Sequence, residues 1–154
     1  MKVVIINCFD NHEDRVDLVH EFFKEKGFDV TVIHSDFRHI KKVHRKDLKD
    51  GFIFIKSKAY TKNISVARLY SHYKFAKDAF KAVEEIKPDL LYTLVPPNSL
   101  AKFAAKYKQK HIDVKLIFDL IDLVWKEVLI YYSKYVESKI FANISVSRKG
   151  SSIW

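Results

Sequence analysis

Glycine is almost missing from this sequence: Gly27, Gly51 and Gly150 are the only three in 154 residues. A dinucleotide-binding fingerprint needs three glycines in one loop, and a P-loop needs two followed by Lys and Ser or Thr. Neither can be assembled here, which excludes a nicotinamide dehydrogenase and a P-loop nucleotidase. The stretch NCFDNHED that follows the first apolar run also lacks the serines and threonines of a flavodoxin-like phosphate loop. The single cysteine, Cys8, excludes an internal disulfide framework and a cysteine metal cluster; it reads as a small buried residue at a strand end. No apolar run reaches the ~18–20 residues that cross a bilayer. The run after Lys2 is too short for a secretory signal, and no small-residue cleavage site follows it. These shortages predict a soluble protein in a reducing, cytoplasmic setting.

What is present is an alternation of two patterns. Apolar runs rich in β-branched and aromatic residues occur at 3–6, 30–33, 52–55, 90–95 and 114–118, as expected of strands buried on both faces of a parallel sheet. Helical spacing lies between them. Val16, Val19, Phe22 and Phe23 share one face of a first helix that opens on Glu13 and Asp14 and stops at Gly27. A second helix over 65–86 aligns Val66, Leu69, Tyr73, Ala76, Phe80 and Val83 for packing on the sheet, until Pro88 ends it. A third aligns Leu100, Phe103, Ala104 and Tyr107, with Asn98 or Ser99 as its N-cap. A further helical pattern covers 124–142, and residues 143–146 have the composition of an edge strand. The expected fold is a single α/β domain over 1–154: a doubly wound, Rossmann-like parallel sheet of five to six strands with helices on both faces. The first strand is expected near the middle, between the second and the fourth.

Such sheets bind ligands at the carboxyl ends of their strands. There the sequence places Asn11 and His12 after the first strand, His34 and Asp36 after the second, Asn98 and Ser99 after the fourth, and Asp119 and Asp122 after the fifth. Donors, acceptors and carboxylates gathered in this way suit a polyhydroxyl ligand, one of whose hydroxyls is to be deprotonated. Each has a plainer reading beside it. Asn98, Ser99 and Asn11 are explained as helix caps, and a lone histidine is more often a surface residue than a catalyst. Asp119 is the exception, because a carboxylate interrupting an apolar strand end needs a partner or a task.

The formal net charge is +9, and residues 38–62 hold nine Lys or Arg against Asp47 and Asp50, a local excess of +7. A basic patch suits nucleic acid, an anionic membrane surface or a phosphorylated substrate, and a solvated loop accounts for it equally well. No nucleic-acid-binding motif accompanies it.

Three segments, KVVIINCF…DRVDLVHEFFKEKGFDVTVIHSDF, KPDLLYTLVPPNSLAKFAAKYKQKH and VKLIFDLIDLVWKE, together resemble the N-terminal half of a GT-B glycosyltransferase. The resemblance is narrower to bacterial family-four enzymes of the capsule and exopolysaccharide type. These carry a "PDLIY…PPNS" segment and, after the next strand, a "D-x-x-D-L-W-P-E" stretch. Here that stretch runs Asp119-Leu120-Ile121-Asp122-Leu123-Val124-Trp125-Lys126-Glu127, with an added valine before the tryptophan and a lysine in place of the proline. The resemblance covers about residues 1–142. It implies an acceptor-side domain whose donor-binding partner domain, the one that grips the nucleotide sugar, is not in this chain. It implies Asp119 as general base with Asp122 supporting it, and Asn11, His12, Asn98 and Ser99 positioning a saccharide or lipid-linked acceptor. Neither metal nor cofactor is implied, since GT-B enzymes stabilise the leaving diphosphate with protein groups and helix dipoles. The expected setting is the cytoplasm, at the inner membrane face, and the isolated chain is expected to be inactive and prone to self-association or capture of a partner domain. A non-enzymatic α/β subunit that pairs with a separate catalytic domain is the alternative.

Overall fold

In a computed structural model of the chain, which describes residues 1–47 and 49–121, the apolar runs form parallel strands and the amphipathic stretches pack across them. In chain order the elements are β1 (Lys2–Asn7), a 3-10 turn (Asp10–His12), α1 (Glu13–Glu25), β2 (Asp29–Ser35), β3 (Phe37–Arg38), β4 (Val43–His44), β5 (Phe52–Ile55), α2 (Val66–Ile86), β6 (Leu90–Val95), α3 (Asn98–Lys110) and β7 (Lys115–Leu120). Five strands make one parallel sheet in the order β5-β2-β1-β6-β7. This is the expected doubly wound, Rossmann-like arrangement, with β1 central between the second and fourth apolar runs. β3 and β4 form a separate antiparallel pair that periodicity did not reveal, because two residues per strand carry no pattern. The expected helix over 124–142 and strand over 143–146 lie outside the described residues.

Alternation along β1 divides the core in two. Val3 and Ile5 face α1 and pack with Val16, Phe23, Val30, Val32 and Leu94. Val4 and Ile6 face the other way and meet Phe75, Ala79 and Val83 of α2 and Leu100 and Ala104 of α3. Helix α1 ends as its glycine requires. Gly27 sits at φ +76°, and the amide of Phe28 bonds the carbonyl of Phe23 at 3.1 Å while that of Gly27 bonds Lys24 at 2.9 Å.

Two details of packing differ from expectation. Phe22 is outside the buried face of α1 and half exposed, while Phe23 is buried. In α2 the buried stripe is Ser71, His72, Phe75, Ala76, Ala79, Phe80 and Val83; Val66, Leu69 and Tyr73 face outward. Phase explains this. The outward residues lie about a quarter-turn round the helix from His72, Phe75, Ala79 and Val83, the face that packs on the sheet and on the loop after β1. The helix starts firmly all the same, for Ser65 Oγ accepts from the amide of Arg68 at 3.2 Å and donates to the carbonyl of Lys62 at 2.9 Å. Ser65→Ala is therefore expected to cost about 1 kcal/mol, measured as a shift of the urea midpoint at constant slope.

Candidate functional site

Because the five strands run parallel, every loop singled out above falls on one edge of the sheet, the carboxyl edge. The edge carries two assemblies, one on each face.

On the α1 face stands Asp119, the penultimate residue of β7 and buried. Arg15, one turn into α1, grips it with two bonds: Nε donates to Oδ2 at 2.5 Å and Nη2 donates to Oδ1 at 2.6 Å. Tyr92 of β6 donates its hydroxyl to Oδ2 at 2.7 Å. The carboxylate and burial in turn act on the neighbours. Burial, then the bond to Asp119, pushes the Tyr92 phenol above its ordinary range, so it remains a donor. The Asp119 carboxylate raises the Arg15 guanidinium, which stays charged. Both carboxylate oxygens are thus engaged, and the assembly latches α1 to β6 and β7. Asp122 lies outside the described residues.

On the α2 and α3 face an open groove of about 610 Å³ runs between the loop after β1, the start of α2 and the start of α3. Phe9, Pro96 and Pro97 give it apolar ring surface; Asn98, Ser99, His72 and Arg68 supply polar groups. The Val95–Pro96 and Pro96–Pro97 bonds are both cis. α3 begins at Asn98 with Pro97 in the cap position and no side-chain cap bond, so neither Asn98 nor Ser99 caps it. Ser99 instead donates to the carbonyl of His72 at 3.1 Å and ties α3 to α2. Asn98 is exposed at the groove's rim. Asn11 and His12 stand in the 3-10 turn, where the Asn11 amide nitrogen lies 3.0 Å from His12 Nε2; neither lines the groove, and neither does Asp119.

Behind the groove lies a chain of polar rings absent from the sequence reading. His39 Nδ1 is 2.5 Å from the Tyr60 hydroxyl, which is 3.4 Å from His72 Nε2. Phe9 packs edge-on to His72 at 5.1 Å and tilted against His39 at 5.0 Å. Burial first, then the cations of Arg68 and Lys42 and the His39 ring, brings the His72 imidazole down to about 3. Burial pushes the Tyr60 phenol up to about 12. Burial, Lys42 and Arg68 lower His39 as well. All three are therefore neutral at neutral pH and serve as hydrogen-bonding groups, beside two cations. The signal for His72 was a Ser-His pair inside the buried spacing of α2, where a polar residue needs partners.

The other expected residues have structural partners. His34 is fully buried in β2; its Nδ1–H donates to the carbonyl of Ser35 at 2.8 Å and its Nε2 accepts from Asn7 Nδ2 at 3.0 Å. Burial lowers it, so it is neutral. Asp36 accepts from the amide of Ser57 at 2.7 Å and pairs with His44. Cys8 is buried and its thiol raised by that burial, as expected of a packing residue. Among the described residues no group of three or more His, Cys, Asp or Glu is placed to hold a metal ion, and no helix is long and apolar enough to cross a membrane. Comparison with protein-family models and with curated protein sequences found no match for this chain.

Proposed function

We propose that this chain is the acceptor-side domain of a GT-B glycosyltransferase of polysaccharide biosynthesis, working at the cytoplasmic face of a membrane. The observation that carries the reading is the groove, which offers apolar surface, hydroxyl partners and one cation, Arg68, at the carboxyl edge without any glycine cradle for a diphosphate. A saccharide packs on the apolar lining given by Ile64, Leu69 and Pro96 and exchanges hydrogen bonds with Asn98 and Ser99. Arg68 favours a phosphate on that acceptor, as a lipid-linked sugar carries. Asp119, with Asp122 expected in support, is held by Arg15 and Tyr92 on the other face of the sheet and does not line the groove, so an acceptor seated there has no access to it in this arrangement. The second reading is therefore a non-enzymatic binding subunit of a separate catalytic domain.

The cations of residues 38–62 weigh against a nucleic-acid reading, since many have internal partners. Arg38 and Arg45 bond Asp47 and Glu13, Lys49 bonds Asp17, and Lys42 bonds Asn63.

Transfer requires acceptor hydroxyl and donor carbon held in line, an effect worth roughly 7–11 kcal/mol, and this chain supplies the acceptor side. Calorimetry with UDP-, GDP- and dTDP-sugars is expected to give Kd values weaker than about 1 mM. A short-chain prenyl diphosphate saccharide is expected to bind far more tightly, and Arg68→Ala to weaken it about tenfold. Micromolar binding of any nucleotide sugar would assign the domain to the donor half of the reaction instead.

A further inference from the structure

Lys42, in the turn between β3 and β4, stands at φ +55°, the left-handed region that suits glycine. A lysine held there needs a reason in its side chain. Its amide donates to the carbonyl of Arg38 at 2.8 Å and closes the turn. Its ammonium reaches across to the loop before α2, where Nζ donates to Asn63 Oδ1 and lies 4.7 Å from the centre of the Tyr60 ring. Arg68, in the first turn of α2, arrives at the same residue. Its Nη1 donates to the carbonyl of Asn63 at 2.7 Å, and its guanidinium lies 5.9 Å from the centre of the Phe9 ring.

Two cations thus converge on one neutral residue. Among the described residues no carboxylate pairs with either, whereas Arg38, Arg45 and Lys49 of the same region each have one. Asp10 acts on Lys42 only from a distance; it accepts the amide of Ile40 at 3.4 Å and bonds neither cation. The Arg68 Nε–H is enclosed and has no acceptor. Burial, and then the Arg68 charge, lowers the Lys42 ammonium, as befits a cation beside a like charge. With its oxygen taken by Lys42, the Asn63 amide has its NH2 to offer. Every group here is a donor, and the partner that suits them is an acceptor carrying negative charge.

We propose that Lys42, Arg68 and Asn63 form a binding site for a phosphate group. Charge selects the ligand. A carboxylate would offset one cation and leave the other, whereas a phosphate monoester, at about −1.5 to −2 near neutral pH, offsets both. Its three free oxygens can meet ammonium, guanidinium and amide together. A nucleic-acid strand is a poorer occupant, because it needs a run of free cations and the neighbouring ones are paired. Asn63 and Arg68 also line the groove, so the site borders it, with Lys42 outside the lining. The site stands on these residues whatever the groove takes. It holds a free phosphate ion or the phosphate of a larger molecule seated beside it.

Titration of the full chain with sodium phosphate at constant ionic strength, followed by proton–nitrogen NMR, tests this. Inorganic phosphate is expected to bind in the millimolar range and to shift the Asn63 side-chain amide and the Arg68 Nε–H. Acetate is expected to bind at least about tenfold more weakly. Lys42→Gly suits the backbone of the turn, so it is expected to keep the melting temperature while weakening phosphate binding at least about tenfold. Lys42→Gln, which leaves the backbone preference as it is, is expected to lose binding to the same degree. Lys42→Arg keeps it, and Lys106→Gln on α3 leaves it unchanged. A prenyl monophosphate run in parallel distinguishes the sources. Affinity equal to that of inorganic phosphate assigns the site to the free ion, and affinity at least about tenfold higher assigns it to a phosphate on a larger ligand. Equal phosphate affinity of the parent and both Lys42 variants overturns the proposal, as does equal affinity for phosphate and acetate, or no binding of phosphate in any form. Phosphate binding without binding of the prenyl diphosphate saccharide fails the groove reading alone and leaves this site in place.

Discussion

Asp119→Ala is expected to destabilise the domain by about 2–4 kcal/mol, read from urea unfolding followed by circular dichroism. The carboxylate's side chain is 5% exposed, and its removal strips Arg15 and Tyr92 of their shared acceptor. A buried pair broken on one side usually costs about 3–5 kcal/mol. The value here falls toward the lower half because Arg15 is half exposed and can turn to water. Tyr92 has less freedom, since it is part of β6 and its ring packs edge-on to Phe23 of α1, and its unmet hydroxyl supplies much of the loss. A double variant, Arg15→Met with Asp119→Leu, is expected to recover more than half of it, since apolar contacts can replace a buried pair. A loss under about 0.5 kcal/mol for Asp119→Ala would show that the latch contributes nothing and leave Asp119 free for another task.

The second large effect is a loss of stability in acid. The folded His72 imidazole is held at about 3, below its ordinary 6.5, chiefly by burial and then by Arg68, His39 and Lys42. Between those two values the unfolded chain binds a proton that the folded one refuses, so stability rises with pH across that window. The contribution is fully present above 6.5 and disappears progressively as pH falls toward 3. Its size is on the order of 3–5 kcal/mol. His34 and His39 are lowered in the same direction and add to the slope. Urea midpoints at pH 7, 5.5 and 4 should therefore fall steeply. His72→Phe keeps the ring packing against Phe9 and Tyr60 and removes the titration, so its slope should be clearly flatter. Identical slopes for the two proteins would mean that His72 is not what acid attacks.

The strands of the sheet were legible because each is an apolar run, the pattern that two-sided burial in a parallel sheet imprints, and the central place of the first strand followed from the alternation with helices. The phase of α2 was not. Apolar residues occur at helical spacing on two adjoining faces of its first half, and only the tertiary packing decides which face is covered. The cap on α3 failed for a related reason: Asn98 and Ser99 have capping chemistry, but Pro97 and the contact to α2 set where the helix begins and where the Ser99 hydroxyl goes. For Asp119 the sequence signalled that the carboxylate needed a partner, without revealing which residue donates to it. Arg15 is 104 positions away and sits among ordinary surface residues of an amphipathic helix. The ring chain of His39, Tyr60 and His72 was likewise invisible, since it joins three separate segments.

The cations that first suggested a ligand patch have a second use, visible where β5 runs along the outside of the sheet. Phe52 and Phe54 lie on this strand, an aromatic pair of the kind that invites a stray strand to add itself. Lys49 covers the Phe52 ring at 4.7 Å and Arg45 covers the Phe54 ring at 4.6 Å. An approaching chain would have to desolvate the half-exposed Lys49 before reaching the backbone, while Arg45, already buried and paired with Glu13, holds the Phe54 ring in place. Part of the positive excess between residues 38 and 62 is therefore a guard against fibre growth, and neutralising it would trade solubility for a sticky border.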